Sequence, residues 1–196
     1  KIVLSGVGAA GTAVARLLVA KGAQNIIGFD KDGLVFEDKG DSDPMRKWFV
    51  TNCSPGSFRG DLHEAMKDAD IFIGVSAPNV LTEGDIKSMA KNAIVFALAN
   101  PDPEIDPVIS RKYAAVVATG RSDQPNQINN VLAFPGIFRG LLDANAHKIS
   151  DEMLVAAAEA IADCVSPEQL NASFIVPSVF DANVVKAVAA AVKKSV

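Results

Sequence analysis

The sequence has few cysteines and histidines, and this scarcity narrows the kind of protein it can encode. Only two cysteines occur among 196 residues. Because Cys53 and Cys164 lie far apart and outside any C-x-x-C pattern, we expect reduced thiols in a cytoplasmic protein and no disulfide framework. The two histidines, His63 and His147, are isolated in the sequence, which argues against a zinc site.

Long hydrophobic runs and concentrated positive charge are also missing. No apolar run approaches the length that spans a bilayer, although 49% of the residues are hydrophobic. The formal net charge is a mild −4, and Lys and Arg form no tract. We therefore expect neither a membrane nor nucleic acid among the partners. The length suits one α/β domain with a large core and is too short for two ordinary domains.

The other segments are organised around a pattern at the start of the chain. An apolar run of strand length, residues 1–5, precedes a glycine-rich hexapeptide, and a helical pattern over 12–21 then ends before Gly22. A second apolar run, residues 25–29, is followed by Asp30. Strand, G-x-G-x-x-G, helix, strand and terminal acid in this order predict a dinucleotide-binding unit. Its predicted cofactor-binding residues are Gly6, Val7, Gly8, Ala9, Ala10, Gly11 and Asp30.

Each part of this pattern has its own physical task. Gly6 permits a tight turn out of the strand, Gly8 lets the backbone approach a pyrophosphate, and Gly11 lets helix and strand pack closely. The helix N-terminus offers N–H groups and a positive dipole end to the phosphates, while Asp30 accepts hydrogen bonds from the adenosine ribose. The alternatives are a tight β–α turn that binds nothing and a simple turn or capping role for Asp30.

Two further candidate residues follow strand ends. Lys31, beside Asp30, is a candidate to pair with the extra phosphate of NADP, and the alternative is a solvated surface lysine. A later buried run leads into Ser76. Since ligands of parallel sheets bind at the carboxyl ends of the strands, we expect Ser76 to line the cofactor groove, unless it belongs to a plain turn that ends the strand.

The remaining sequence alternates buried strands with helical patterns. This alternation predicts an α/β fold with a doubly wound, mostly parallel sheet of the Rossmann type. Further helical patterns follow after residue 130, the first of them bent by Pro135 and Gly136. We assign residues 1–196 to a single NAD(P)-binding domain. The predicted later strands lie at 70–76, 93–99 and 114–119, and the last three helical regions lie at 131–146, 151–164 and 181–194.

Polar loops follow two of these strands. Asn100 ends one strand, and the acids at positions 102, 104 and 106 then alternate with prolines. Such alternation is more typical of a rigid exposed loop than of a metal cluster, and Asp106-Pro107 fits the first positions of a helix. The loop at 120–130 is rich in amides, which predicts a neutral hydrogen-bonding wall for a ligand. Local asparagine turns are the alternative.

Four stretches resemble the C-terminal, cofactor-binding domain of bacterial malic enzymes of the short type. They are IFIGVSAPNVLT, IVFALANPDPEI, VVATGRSDQPNQINNVLAFPGIFRGLLDA and IVPSVFD, and the resemblance covers nearly the whole chain. It implies oxidative decarboxylation of L-malate to pyruvate and CO₂. NAD or NADP would take the hydride, and a divalent metal, Mn²⁺ or Mg²⁺, would polarise the keto intermediate.

The resemblance also implies roles for individual residues. The Gly6–Ala9 turn would hold the pyrophosphate and Asp30 the adenosine ribose. Asn100, Asn129 and Asn130 would contact malate and the nicotinamide half of the cofactor. In this family a Gly-Arg pair usually follows the acid, and its absence from segment 30–48 leaves the choice between NAD and NADP open.

Other implied parts are absent from this chain. The family's metal-binding carboxylates and its Lys and Tyr acid-base residues precede the glycine motif, so we assign no catalytic residue and no metal ligand here. The start at Lys1 is interpreted as a cut through a longer polypeptide. An N-terminal catalytic domain of that same polypeptide would be the partner of this chain, and the resemblance also implies a homo-oligomer. We expect the chain alone to turn over no malate. The alternatives are a non-catalytic NAD(P)-sensing or partner-binding module and a different Rossmann dehydrogenase.

Overall fold

The computed structural model describes residues 1–37, 43–53 and 55–196, which form two compact units. The first unit is Lys1–Pro125 and the second is Asn126–Val196. Part of segment 30–48, where the family pattern is not followed, lies outside the described residues. Within the described ranges, no helix is both long and apolar enough to cross a membrane. The assignment of all 196 residues to a single NAD(P)-binding domain stays a prediction.

A six-stranded sheet forms the centre of the first unit. Its strands are β1 (Ile2–Ser5), β2 (Ile26–Asp30), β3 (Gly33–Leu34), β4 (Ile71–Gly74), β5 (Ile94–Ala97) and β6 (Val116–Thr119). The spatial order is β3-β2-β1-β4-β5-β6, and every neighbouring pair is parallel except β2 with β3. The strand order therefore reverses between β1 and β4: β2 and β3 lie on one side of β1, and β4 to β6 lie on the other. Such a switch point leaves a crevice at the carboxyl ends of the two central strands.

Helices cover both faces of this sheet. Val3 of β1 packs in one core cluster with Met66 and Ile86, whereas the next residue, Leu4, packs in a second cluster with Phe49. Because successive strand residues point to opposite faces, the two clusters lie on opposite sides of the sheet. The predicted doubly wound, mostly parallel α/β fold is confirmed. The helices of this unit are α1 (Ala9–Ala20), α2 (Pro44–Asn52), α3 (Leu62–Met66), α4 (Glu83–Ser88) and α5 (Pro107–Ser110).

The second unit is helical. Its elements are a 3₁₀ turn (Asn130–Leu132), α6 (Phe134–Asp143), α7 (Asp151–Asp163) and α8 (Ala182–Lys194). A Cβ atom added at Gly136 or Gly140 of α6 would lie 2.6 Å from Val188 or 2.7 Å from Val192 of α8, so these glycines allow the two helices to approach closely. The region predicted as one bent helix over 131–146 is a 3₁₀ turn followed by α6. Pro135 lies in the first turn of α6, where its missing N–H is not needed.

Candidate functional site

A cavity of about 900 Å³ opens at the carboxyl ends of β1, β2 and β4, and we call it the switch-point cavity. It brings together the whole glycine motif, Asp30, Lys31 and Ser76. These are all of the predicted cofactor-binding residues of the first unit except Asn100. The other lining residues are Ser5, Phe29, Gly33, Leu34, Gly60, Asp61, Leu62, Val75, Ala77 and Val80.

The turn between β1 and α1 depends on its three glycines in different ways. Gly6 has a φ of +101°, which side chains of L residues rarely adopt. A Cβ atom at Gly11 would collide with the carbonyl oxygen of Gly6, so only glycine lets the helix and the turn approach here. Gly8 is exposed, and a Cβ atom added there would have no neighbour within 4 Å among the residues that the structure describes. Gly8 is therefore dispensable for packing and leaves open space above the turn.

The backbone N–H groups of the turn divide into two sets. Those of Gly6 and Val7 donate to the carbonyl oxygen of Phe29 at 2.8 and 3.1 Å and hold the turn against β2. The N–H groups of residues 9–11 have no acceptor within the helix, as at every helix start, and no side chain in the described part of the chain caps the start of α1. They carry the positive end of the helix dipole, and this arrangement suits a phosphate group.

Asp30 is paired with a residue that the sequence analysis missed. Its Oδ1 accepts a hydrogen bond from the backbone N–H of Asp32 at 2.8 Å, and its Oδ2 forms an ion pair with Nη1 of Arg46 on α2. Each carboxylate oxygen has two lone pairs, so Asp30 can still accept hydrogen bonds from a ribose. Lys31 is exposed and forms no ion pair with any described residue. No sequence signal pointed to Arg46, because it lies in a different element, 16 residues further along the chain.

Ser76 is held in place by a buried carboxylate. Glu104 is 0% exposed, and its Oε1 accepts hydrogen bonds from the backbone N–H and the hydroxyl of Ser76 at 2.8 and 3.1 Å. Its Oε2 accepts from the N–H of Ala99 at 3.0 Å. The Ser76 hydroxyl also lies 2.9 Å from that of Ser5. This network joins the carboxyl ends of β1, β4 and β5 beside the cavity.

The acids near Glu104 do not form a cluster with it. Asp106 caps α5 by accepting from the N–H of Val108 at 2.7 Å, as the sequence predicted, and Asp102 is exposed. The interpretation of this segment as an exposed loop is wrong for Glu104. Over the described part of the chain, no group of three or more His, Cys, Asp or Glu side chains could hold a metal ion. The acids at positions 102, 104 and 106 therefore do not fit the implied divalent metal, and we assign them no metal-dependent step.

The three asparagines implied as substrate contacts lie in two units, and each is described within its own. Asn100 follows β5, is exposed, and is not among the residues that line the cavity. Asn129 accepts from the N–H of Val131 at 3.0 Å and caps the 3₁₀ turn, while Asn130 is exposed within that turn. Asn129 thus has a local capping role. Contacts of all three with malate or nicotinamide stay predictions.

Another amide of the same loop has a structural role. Asn126 is buried and has a φ of +58°. Its Nδ2 donates to the carbonyl oxygen of Ala172 at 2.8 Å, and its Oδ1 accepts from the N–H of Ile175 at 3.0 Å. Asn126 therefore ties the amide-rich loop to a distant segment of the second unit.

A histidine–carboxylate pair joins α3, which starts at the rim of the cavity, to α4. Nδ1 of His63 lies 2.9 Å from Oδ2 of Asp85, which also accepts from the N–H and hydroxyl of Thr82 at 2.6 and 2.8 Å. The hydrogen bond to Asp85 raises the pKa of His63 above its usual value of 6.5. The folded state therefore favours the protonated imidazole.

We expect the free energy of unfolding to decrease as the pH rises through the folded-state pKa of His63. Since that pKa is raised, the stabilisation is complete below the unfolded pKa of about 6.5 and is lost at higher pH. Urea denaturation between about pH 6 and pH 8.5, followed by the fluorescence of Trp48, the one tryptophan, measures this effect. His63→Gln should reduce the dependence of the free energy of unfolding on pH. The control variant His147→Gln should show the same dependence as the wild type. Identical profiles for wild type and His63→Gln would contradict the expectation.

Comparisons with known proteins find relatives along the whole chain. A family model described as malic enzyme, NAD binding domain, matches residues 1–196. The NAD-dependent malic enzyme of Geobacillus stearothermophilus is 50% identical over 192 residues, which cover 98% of this chain and 40% of that protein. The NADP-dependent malic enzyme of Salmonella typhimurium strain LT2 is 40% identical over 213 residues, which cover 100% of this chain and 28% of that protein.

A solved structure agrees with these relatives. The crystal structure of the NAD-dependent malic enzyme from Thermotoga maritima matches with a TM-score of 0.90 and 41% identity. The match covers 98% of this chain and 51% of that chain. The chain therefore spans about half the length, or less, of the proteins that it resembles.

Proposed function

Since the chain belongs to the family of malic enzyme NAD-binding domains, we propose that it binds NAD or NADP for a malic enzyme that converts L-malate to pyruvate and CO₂. Its membership confirms the resemblance found in the sequence. The observation that carries the proposal is the switch-point cavity. There, the open space at Gly8 adjoins the uncapped start of α1 and the carboxylate of Asp30.

The residues of this cavity fit a dinucleotide. Its volume of about 900 Å³ is within the range of roughly 300–1,000 Å³ that is usual for small-molecule sites. The pyrophosphate would lie over Gly8 and accept hydrogen bonds from the N–H groups at the start of α1. Asp30 would accept from the adenosine ribose, and the Ser76 segment would form the wall at β4. The bound nicotinamide would supply the hydride acceptor.

The metal ion and the acid-base residues that the reaction requires would belong to a part of the enzyme outside this chain. The greater length of the relatives supports a second domain of the same polypeptide that holds the Mn²⁺ or Mg²⁺ and the acid-base residues. Decarboxylation of a keto acid needs a Lewis acid at the carbonyl and a proton donor for the enol. Asn100, Asn129 and Asn130 would contact malate and the nicotinamide half. The whole enzyme would be a cytoplasmic homo-oligomer.

Titration of the 196-residue chain with NAD and with NADP tests this function. We expect saturable heat of binding for at least one dinucleotide, with a Kd between about 1 μM and 1 mM. Nicotinamide mononucleotide lacks the adenosine half that the cavity would hold, so it should bind more weakly and serves as the control. Malate should yield no NAD(P)H with the chain alone. Failure of both dinucleotides to bind would refute the proposed binding function. Malate turnover by the isolated chain would refute the assignment of the acid-base residues and the metal to another domain.

A further inference from the structure

We propose that Arg46 determines the choice between NAD and NADP. The ion pair with Asp30 prevents the buried Arg46 guanidinium from binding the 2′-phosphate of NADP, which it can bind when the Asp30 carboxylate is absent. This inference rests on the proposed function, because it concerns the adenosine end of the switch-point cavity. It predicts that the wild-type chain prefers NAD. It also predicts that removal of one carboxylate reverses the preference.

The packing of α2 fixes the position of Arg46. Phe49, one turn further along the helix, is 0% exposed, and its ring occupies the space where a Cβ atom at Gly28 of β2 would lie. The start of the helix is fixed by Asp43, whose side chain accepts from the N–H of Met45 at 2.9 Å. A helix held at both places presents the Arg46 guanidinium to the end of β2. Nη1 accordingly pairs with Oδ2 of Asp30.

Burial makes Arg46 dependent on a counter-charge. The residue is 8% exposed, and its Nε has no hydrogen-bond partner among the described residues. Asp30 is the one ion-pair partner that the described part of the chain gives it. Breaking a buried ion pair by removing one member leaves an uncompensated charge, which is strongly unfavourable. If the Asp30 carboxylate is absent, a bound anion therefore gains the full attraction of the guanidinium.

The 2′ position of the adenosine ribose is where NAD and NADP differ. In sites of this type the acid at the end of β2 accepts a hydrogen bond from the 2′-hydroxyl of NAD, and NADP carries a phosphate on the same oxygen. With Asp30 present, two negative groups would meet at this point and NADP is disfavoured. With Asp30 removed, the phosphate would face a guanidinium, whose planar fork matches phosphate oxygens.

Lys31 is the competing cation for this role. It is next to Asp30 in the sequence and lines the same cavity. Its side chain is exposed, however, and no described residue pairs with it, so it lacks the fixed geometry of Arg46. The two cations can be separated by removing each in turn in a background that lacks the Asp30 carboxylate.

The test measures the Kd of NAD and of NADP for a set of purified variants by calorimetry. The set is wild type, Asp30→Ala, Asp30→Asn, Arg46→Met, Asp30→Ala with Arg46→Met, and Asp30→Ala with Lys31→Met. We expect wild type to bind NAD about tenfold or more tighter than NADP, and Asp30→Ala to bind NADP about tenfold or more tighter than NAD. Adding Arg46→Met should abolish that gain, whereas adding Lys31→Met should preserve it.

Each further outcome decides the inference. The inference is overturned if Asp30→Ala does not gain affinity for NADP. It is also overturned if that gain is kept when Arg46→Met is added, or is lost when Lys31→Met is added. Circular dichroism shows whether Asp30→Ala folds. If it does not, Asp30→Asn takes its place, because it keeps the shape of the side chain and removes the charge. The inference then requires that Asp30→Asn prefer NADP over NAD, by a smaller factor than expected for Asp30→Ala. A wild-type chain that binds neither dinucleotide refutes the proposed function instead, whereas wild-type NADP binding as tight as NAD binding refutes only the role of Asp30 and Arg46.

Discussion

Replacement of Gly8 with valine should weaken dinucleotide binding by at least about a hundredfold while leaving the fold intact. The new Cβ would meet no atom of the described residues within 4 Å, so we expect a stability loss of about 1 kcal/mol, which is typical of changes at a helix N-cap. In the complex it would occupy the place of the pyrophosphate and separate it from the N–H groups of α1. Loss of two such charge-assisted hydrogen bonds, each worth roughly 1.5–3 kcal/mol, weakens binding by at least about a hundredfold.

Calorimetry with NAD and NADP, together with urea denaturation, measures both effects of Gly8→Val. Gly84→Val is the matched control, because Gly84 is also exposed in the first turn of a helix. Among the described residues, a Cβ atom there has only the Thr82 hydroxyl within 4 Å, at 3.5 Å. This variant should bind both dinucleotides as the wild type does. Undiminished binding by Gly8→Val would show that the pyrophosphate does not lie over the turn between β1 and α1.

Replacement of Glu104 with alanine should produce a large loss of stability. Its carboxylate accepts from the N–H groups of Ser76 and Ala99 and from the Ser76 hydroxyl. Both N–H groups would lose their partner inside the protein, whereas the Ser76 hydroxyl keeps the Ser5 hydroxyl at 2.9 Å. A buried donor left unsatisfied costs about 1–3 kcal/mol, so we expect a total loss of roughly 4 kcal/mol from the two N–H groups. Urea denaturation followed by Trp48 fluorescence measures it in the unit that contains both residues.

Two further variants check that this loss arises from the hydrogen bonds. Glu104→Gln keeps the volume and one acceptor oxygen but places an NH₂ group toward one of the donors, so its loss should be about half that of alanine. Asp102→Ala removes an exposed acid from the same segment and should stay within about 0.5 kcal/mol of wild type. A Glu104→Ala variant as stable as Asp102→Ala would contradict the role of the network.

The positions of the glycine motif, Asp30 and Ser76 could be predicted from the sequence for one geometrical reason. Parallel strands joined by right-handed crossovers bring their carboxyl ends to one edge of the sheet. Residues that directly follow buried apolar runs therefore meet there without any knowledge of side-chain packing. The doubly wound fold was predictable in the same way, since runs that are apolar on both faces require helices on both sides.

Arg46 and Glu104 could not be predicted, because their positions depend on packing between elements. Arg46 belongs to a helix that follows the connection after β3, and only the burial of Phe49 against β2 determines which of its residues reaches Asp30. Glu104 stands between prolines, a context typical of exposed loops, and its burial follows from donors at two strand ends that need an acceptor. Pro135 was interpreted as a bend for a different, local reason: the start of α6 was placed too early, so that proline fell inside the expected helix instead of in its first turn.

The hydrogen bonds from Gly6 and Val7 to Phe29 affect how a ligand would be received. Phe29 immediately precedes Asp30, so the phosphate-binding turn is tied to the peptide next to the ribose-binding carboxylate. The spacing between the two anchor points is therefore set by covalent geometry and two backbone bonds before any nucleotide arrives. Such preorganisation reduces the conformational entropy lost on association, and the adenosine half should dock onto a rigid template.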